Sequence, residues 1–93
     1  MPRKGSYKVI IDQSALDFIA GQTKKVQRQI AKKIDLLATN PRPAGCKKLQ
    51  GLDDLYRIRS GTYQIVYEII DKKISVYIIS VGNRKSVYRK LKK

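Results

Sequence analysis

The chain has 93 residues, enough for one folded domain with one core and too few for two. Its 42% hydrophobic content suits a globular protein, while 21 Lys and Arg against 7 Asp and Glu leave a formal charge of +14. An excess of that size repels itself in the folded state and points to an anionic partner: nucleic acid, an acidic protein or a charged membrane surface. The absence of histidine and the single cysteine, Cys46, argue against a zinc site and exclude an intramolecular disulfide. Cys46 beside Lys47 and Lys48 reads as an incidental thiol, because no imidazole is there to act as its base. No apolar run reaches the length of a signal peptide or a membrane span. The expectation is a cytoplasmic protein with no membrane association, no metal and no cofactor.

Residues 1–6 form a short polar tail, and Tyr7-Lys8-Val9-Ile10-Ile11 is strand-like. Ser14 offers a helix N-cap, with Asp17 three residues on as the acid of a capping box. Ala15, Leu16, Ile19 and Ala20 give the short helix that follows an apolar stripe, and Gly21 ends it. Thr23 caps a second, longer helix in which Val26, Ile30, Ile34 and Leu37 recur at helical spacing, with Lys24, Lys25, Arg28, Lys32 and Lys33 on the other turns. That basic outer face reads first as solvated surface. Pro41 and Pro43 stop the helix, and Pro41 biases Asn40 away from helical backbone.

Residues 44–54 read as a loop with a turn at Gly51. Three strands follow, at 55–59, 63–70 and 73–81, joined by turns at Ser60-Gly61-Thr62 and Asp71-Lys72. From Arg84 onward the tail is dense in positive charge and contains no acid. The layout is β-α-α-β-β-β. It predicts a two-layer α+β domain over 1–93, in which an N-terminal strand and a helical hairpin precede an antiparallel three-stranded meander, with residues 84–93 as a basic C-terminal tail. The first strand can join the sheet at an edge or in the centre.

The segment with most chemistry is Tyr56-Arg57-Ile58-Arg59. Alternation along a strand sends Arg57 and Arg59 to one face and Tyr56 and Ile58 to the other. Two cations side by side on a stiff strand make a poor core and a good cradle for phosphate. Gln64, on the neighbouring strand, shares that face across the hairpin. The last strand delivers Ser80-Val81-Gly82-Asn83-Arg84 to one end of the sheet, with Lys85, Tyr88 and Arg89 just beyond. The plainer reading pairs the arginines with Asp53, Asp54 or Glu68 at the surface. If the site cleaves RNA, arginine is too weak a base to take the proton, so in-line positioning and stabilisation of charge on the phosphorus oxygens carry the reaction. Proton transfer then falls to Tyr88, Tyr63, Glu68 or a lysine. Of these Tyr88 is the expected base, its phenolate favoured by surrounding cations.

Over nearly the whole chain these residues resemble the RelE/ParE superfamily of toxins from toxin–antitoxin pairs. The likeness runs through Asn40-Pro41, Lys48-Leu49-Gln50-Gly51-Leu52, Leu55 to Arg59, Gly61 to Tyr67, Ile79 to Arg84 and Val87-Tyr88. It implies the RelE fold and, for the RelE branch, metal-independent cleavage of messenger RNA in the ribosomal A site. It further implies Arg57, Arg59, Arg84 and Tyr88 as catalytic residues, with Lys47, Lys48, Gln64, Lys85 and Arg89 binding substrate. The chain departs from the family at Gln64, where an arginine usually follows the tyrosine. The resemblance also implies a cognate antitoxin whose acidic or amphipathic segment wraps the basic surface, with the ribosome and mRNA as the other partners. The alternatives are a ParE-like toxin that poisons DNA gyrase without nuclease chemistry, and a decayed toxin that only binds nucleic acid.

Overall fold

A computed structural model describes residues 6–49 and 55–83. In chain order these form β1 (Lys8–Ile11), α1 (Gln13–Ala20), α2 (Lys24–Thr39), β2 (Lys47–Lys48), β3 (Leu55–Ser60), β4 (Tyr63–Ile70), a 3-10 turn (Asp71–Lys73) and β5 (Ser75–Asn83). The five strands make one mixed sheet in the order β1-β5-β4-β3-β2. The predicted α+β arrangement holds, with the meander β3-β4-β5 antiparallel throughout. β1 lies at an edge and runs parallel to β5, which the connection through both helices makes feasible. The stretch expected as loop contributes the short strand β2, which pairs with β3 and forms the opposite edge.

One face of the sheet carries the core. Ala15 from α1 and Ile30, Ile34 and Leu37 from α2 pack on Ile58, Ile65, Tyr67, Ile69, Val76, Ile78 and Val81. The three α2 residues are the apolar stripe that the sequence spacing predicts, and burying such a stripe is what holds a helix of this kind in place. Between the β4 positions Val66 and Tyr67 the register slips: Val66 faces Ser80 but Tyr67 faces Ile78. Ile79 is therefore an extra residue on β5, a β-bulge that reverses the alternation. Val76 and Ile78 point to the core before it and Val81 after it, so Ser80 and Gly82 face the other way.

Two local predictions need correction. The N-cap of α1 is Asp12, not Ser14. The Asp12 backbone N–H still donates to the Ile78 carbonyl at 2.9 Å, as the last rung of strand β1, and the helix starts at the next residue. Ser14 then donates both its backbone N–H (3.1 Å) and its hydroxyl (2.6 Å) to Asp12 Oδ2. The Asp12 Oδ1 atom accepts from the Tyr77 hydroxyl at 2.5 Å, a bond that raises the Tyr77 phenol above its ordinary value. One carboxylate thus stitches the start of α1 to β5. Asp12→Ala is expected to cost about 1–2 kcal/mol for the cap, and more for the stranded phenol, measured as a fall in urea-unfolding midpoint. A loss under 0.5 kcal/mol would show that water replaces both bonds.

The β4–β5 connection is the second correction. It is a 3-10 turn closed by Ile74 at φ 48°, rather than a tight two-residue turn at Asp71-Lys72. A β-branched residue in the left-handed region is strained. Ile74 is also 53% exposed and packs little there. Ile74→Gly is expected to stabilise by about 0.5–1 kcal/mol, read as a higher melting temperature.

Other local expectations are met. Thr23 Oγ1 accepts from the Val26 N–H at 3.3 Å and caps α2. Asn40 leaves helical backbone before Pro41, at φ −146° and ψ 93°. The Gln27 Nε2 amide lies within 3.1–3.4 Å of the carbonyls of Ile19, Ala20 and Gln22, covering the end of α1. The Tyr67 hydroxyl, buried in the core, donates to the Pro41 carbonyl at 2.8 Å and pins the chain leaving α2 to the sheet. Burial, with Cys46 adding to it, raises the Tyr67 phenol far above its usual range, so it stays a donor.

At the α2-exit end, Arg42 bridges to Asp71 at 3.0 Å and lies over the Tyr56 ring, 5.4 Å from its centroid. The Tyr7 hydroxyl also donates to Asp71, at 2.7 Å. The Arg42 and Tyr7 hydrogen bonds hold the Asp71 carboxyl below its ordinary value. A depressed folded-state value means that the stabilisation is present above the unfolded-state pKa and is lost as pH falls through the folded one. Asp71→Asn should therefore flatten the acid limb of a melting-temperature profile below about pH 4 while leaving its slope near neutrality unchanged. An unaltered acid limb would mean that the exposed cluster is screened to nothing.

Candidate functional site

The face of the sheet opposite α1 and α2 gathers three of the predicted cations, Lys47, Arg57 and Arg59. In β3, Tyr56 and Ile58 join the core side, so Arg57 and Arg59 point to the other face, as alternation requires. The turn that permits this hairpin has Gly61 at φ 63°, with Ser60 and Tyr63 paired across it. Register then places the neighbours. Arg57 lies across from Lys47 of β2 on one side and Val66 of β4 on the other. Arg59 lies across from Gln64, and Gln64 in turn across from Gly82 of β5. Directly opposed side chains start about 4.5–5.5 Å apart, so Lys47, Arg57, Arg59, Gln64 and Gly82 form one contiguous lane near the β3–β4 turn.

The lane is anchored from the core side. Tyr63, beside Gln64 but facing the helices, donates to Gln22 Oε1 at 3.2 Å and meets the Phe18 ring edge-on at 5.8 Å. The hairpin end that carries Arg59 is therefore braced against the junction of α1 and α2. Sites built on braced strands hold their groups more firmly than sites on loops.

The two arginines differ in setting. Arg59 is exposed, whereas Arg57 is only 9% exposed. Neither is neutralised by Glu68, the described acid proposed as a partner; the ion pair found among the described residues is Arg42–Asp71. Asp53 and Asp54 lie outside the described residues, as do Arg84, Lys85, Tyr88 and Arg89. Lys48 pairs with Tyr56 and so shares the helix side of the sheet, away from Lys47 and the arginines.

Gln64 is the outlier. It is fully buried, and neither its Oε1 nor its Nε2 has a hydrogen-bond partner. Buried amides are nearly always satisfied, which makes Gln64 the residue of this lane whose replacement tells most. Sequence spacing placed Gln64 beside Arg59 but carried no signal of its burial. Ser80 and Gly82 reach this face only through the bulge at Ile79, so spacing could not assign them either.

Chemically, the exposed part of the lane, Lys47 and Arg59, offers an ammonium and a guanidinium fork for a phosphodiester, with Arg57 and the Gln64 amide buried beside them. It contains no imidazole, because the chain has no histidine.

Comparison with known proteins agrees with this geometry. Residues 4–88 match the family model of the ParE toxin of type II toxin–antitoxin system, parDE. The chain is 37% identical over 81 residues to the mRNA interferase toxin RelE of Escherichia coli K12, covering 85% of this chain and 84% of that one. The isolated E. coli RelE toxin superposes with a TM-score of 0.74 at 34% identity, over 92% of this chain and 95% of that one. A chain of the intact E. coli RelBE toxin–antitoxin complex gives 0.73 at 37% identity, over 84% and 96%. With a family model across most of its length and curated relatives above 30% identity, this chain belongs to the RelE/ParE family of toxins of type II toxin–antitoxin systems.

Proposed function

We propose that this chain is the toxin of a toxin–antitoxin pair and an endoribonuclease that cuts messenger RNA in the ribosomal A site. The observation that carries the reading is the cationic lane of Lys47, Arg57 and Arg59 on the face of the sheet opposite α1 and α2, in a chain whose relatives are RelE mRNA interferases. A 2′-hydroxyl attacks the adjacent phosphorus, negative charge builds on the non-bridging oxygens, and the bond to the 5′-oxygen breaks as that oxygen takes a proton from water. Arg57 and Arg59 bind that charge, and they hold the phosphate in line for attack. Arg84 adds a third cation, while Tyr88 takes the proton of the 2′-hydroxyl. Lys47, Lys85 and Arg89 bind the flanking backbone, whereas Lys48, on the opposite side of the sheet, takes no part in it. No step draws on a metal ion.

An antitoxin that silences the toxin would cover the same lane, since acidic or amphipathic segments neutralise such a surface. The description of the matching family model names ParE, yet the relatives sharing over a third of their residues with this chain are RelE interferases, and no observation favours gyrase. Among the described residues no helix is long and apolar enough to cross a membrane.

Primer extension on a message held on ribosomes with an empty A site tests the reading, with free RNA as control and Arg84→Ala and Tyr88→Phe alongside. Cuts confined to the A-site codon, dependent on the ribosome and lost in both variants, are expected. Full activity of Tyr88→Phe would remove the phenol from the mechanism. Intact message with wild-type protein would leave a binding-only toxin.

A further inference from the structure

Gln22, in the short link between α1 and α2, is fixed at three points. Its backbone N–H donates to the Ile19 carbonyl at 3.0 Å, and its side-chain Nε2 donates to the Phe18 carbonyl at 3.3 Å. Its own backbone carbonyl accepts from Gln27 Nε2, also at 3.3 Å. With the Nε2 end of the amide committed to Phe18, the Oε1 end is left for the sheet and accepts from the Tyr63 hydroxyl at 3.2 Å. Tyr63 holds a particular place in that sheet. On one side it pairs with Ser60 of β3, the residue after Arg59. On the other it pairs with Asn83 of β5, the residue before Arg84 in the chain. One tyrosine therefore sits one residue away, by register, from two of the arginines assigned to the phosphate.

We infer that Gln22 and Tyr63 are a positioning pair for RNA cleavage: the hydrogen bond between them ties the open end of the β3–β4–β5 meander to the helix layer and so fixes where Arg59 and Arg84 are presented. The catalytic consequence rests on the roles proposed above for those arginines; the tether itself does not. A strand end beside a turn is held by few ladder bonds, so a contact from the other layer has most leverage there. Cleavage that relies on in-line positioning is sensitive to misplacement of its cations by as little as 1 Å. The Tyr63 hydroxyl faces the helices and the arginines face the other way, so this phenol neither touches the phosphate nor accepts the 2′-hydroxyl proton. Its loss should act on kcat through geometry, with RNA affinity left alone.

The test uses three substitutions. Tyr63→Phe removes the hydroxyl and keeps the ring, Gln22→Met removes the acceptor and keeps the length, and Gln22→Glu keeps an acceptor. Primer extension on programmed ribosomes gives kcat and KM separately, and amide hydrogen exchange over Ser60–Gln64 reads the hairpin end without RNA. Tyr63→Phe and Gln22→Met are each expected to lower kcat about ten- to hundredfold with KM unchanged. The double variant should lose no more than either single one, because both break the same bond. Gln22→Glu should keep most of the rate. Exchange should quicken over Ser60–Gln64 in both single variants and stay as in wild type along the rest of β4. Full kcat in Tyr63→Phe would overturn the inference. So would a loss in Tyr63→Phe without one in Gln22→Met, which would give the phenol a role of its own, or losses that add in the double variant. A fall in kcat matched by a general fall in melting temperature and faster exchange throughout would reduce the pair to ordinary packing. Wild type that cuts nothing would sink the nuclease reading, and hydrogen exchange would still decide the tether: unchanged exchange in both variants overturns it.

Discussion

Gln64→Met is expected to make the protein more stable and less active. The Gln64 amide is fully buried with both polar atoms unpaired, and such a group costs about 1–3 kcal/mol relative to an apolar side chain of the same shape. Methionine matches glutamine in length and lacks the amide, so most of that cost should be recovered. In a domain of this size each kcal/mol raises the melting temperature by roughly 4–8 °C. Gln64→Ala should do the opposite, because it removes the amide but leaves a cavity between Arg59 and Gly82. If the amide is kept for RNA, cleavage by Gln64→Met on programmed ribosomes should fall while its melting temperature rises. Gln64→Arg, which restores the residue usual in the family, should cut faster than wild type by adding a charge-assisted contact to phosphate. A stabilised Gln64→Met with undiminished cleavage would reduce Gln64 to a packing residue. A destabilised one would mean that the amide is satisfied by water.

Arg59→Ala should separate chemistry from folding. Arg59 is exposed and makes no ion pair among the described residues, so its removal should change stability by no more than about 0.5 kcal/mol. If it stabilises charge developing on phosphate, kcat on programmed ribosomes should drop about 10²–10³-fold. Arg57→Ala is the instructive contrast. Its side chain is 9% exposed, and truncation removes a buried aliphatic stem as well as a charge. That variant should lose activity and stability together, and Arg57→Lys should recover more stability than rate, because an ammonium cannot reproduce a guanidinium's two-pronged contact. Equal, small losses of activity in Arg59→Ala and Arg57→Ala would place the reacting phosphate elsewhere on the surface.

Much of the site was legible in the chain because strand parity is a local property. Tyr56 and Ile58 had to face one way and Arg57 and Arg59 the other whatever the strand packed against, and they do. Gly61 between two apolar runs marked the hairpin, and the spacing of Ile30, Ile34 and Leu37 marked the buried side of α2 for the same reason. Register across the hairpin then followed from turn length, which set Gln64 beside Arg59.

What depends on neighbours was not legible. Alternation along β5 predicts that Ser80 and Gly82 share the side of Val76 and Ile78; the bulge at Ile79 reverses this, and only the partner strand β4 reveals the slip. Asp12 rather than Ser14 caps α1 because β1 holds on to β5 through Asp12, a constraint from a residue 66 positions away. Lys47 joins Arg57 and Lys48 is sent to the other face only once β2 pairs with β3. The unequal burial of Arg57 and Arg59, and the orphaned amide of Gln64, likewise exist only in the assembled sheet. The chain by itself determined which residues could share a face, since covalent geometry sets that within a few residues. Only tertiary structure decided which of them are buried, unpaired or opposed, because those properties are set by what other strands bring alongside.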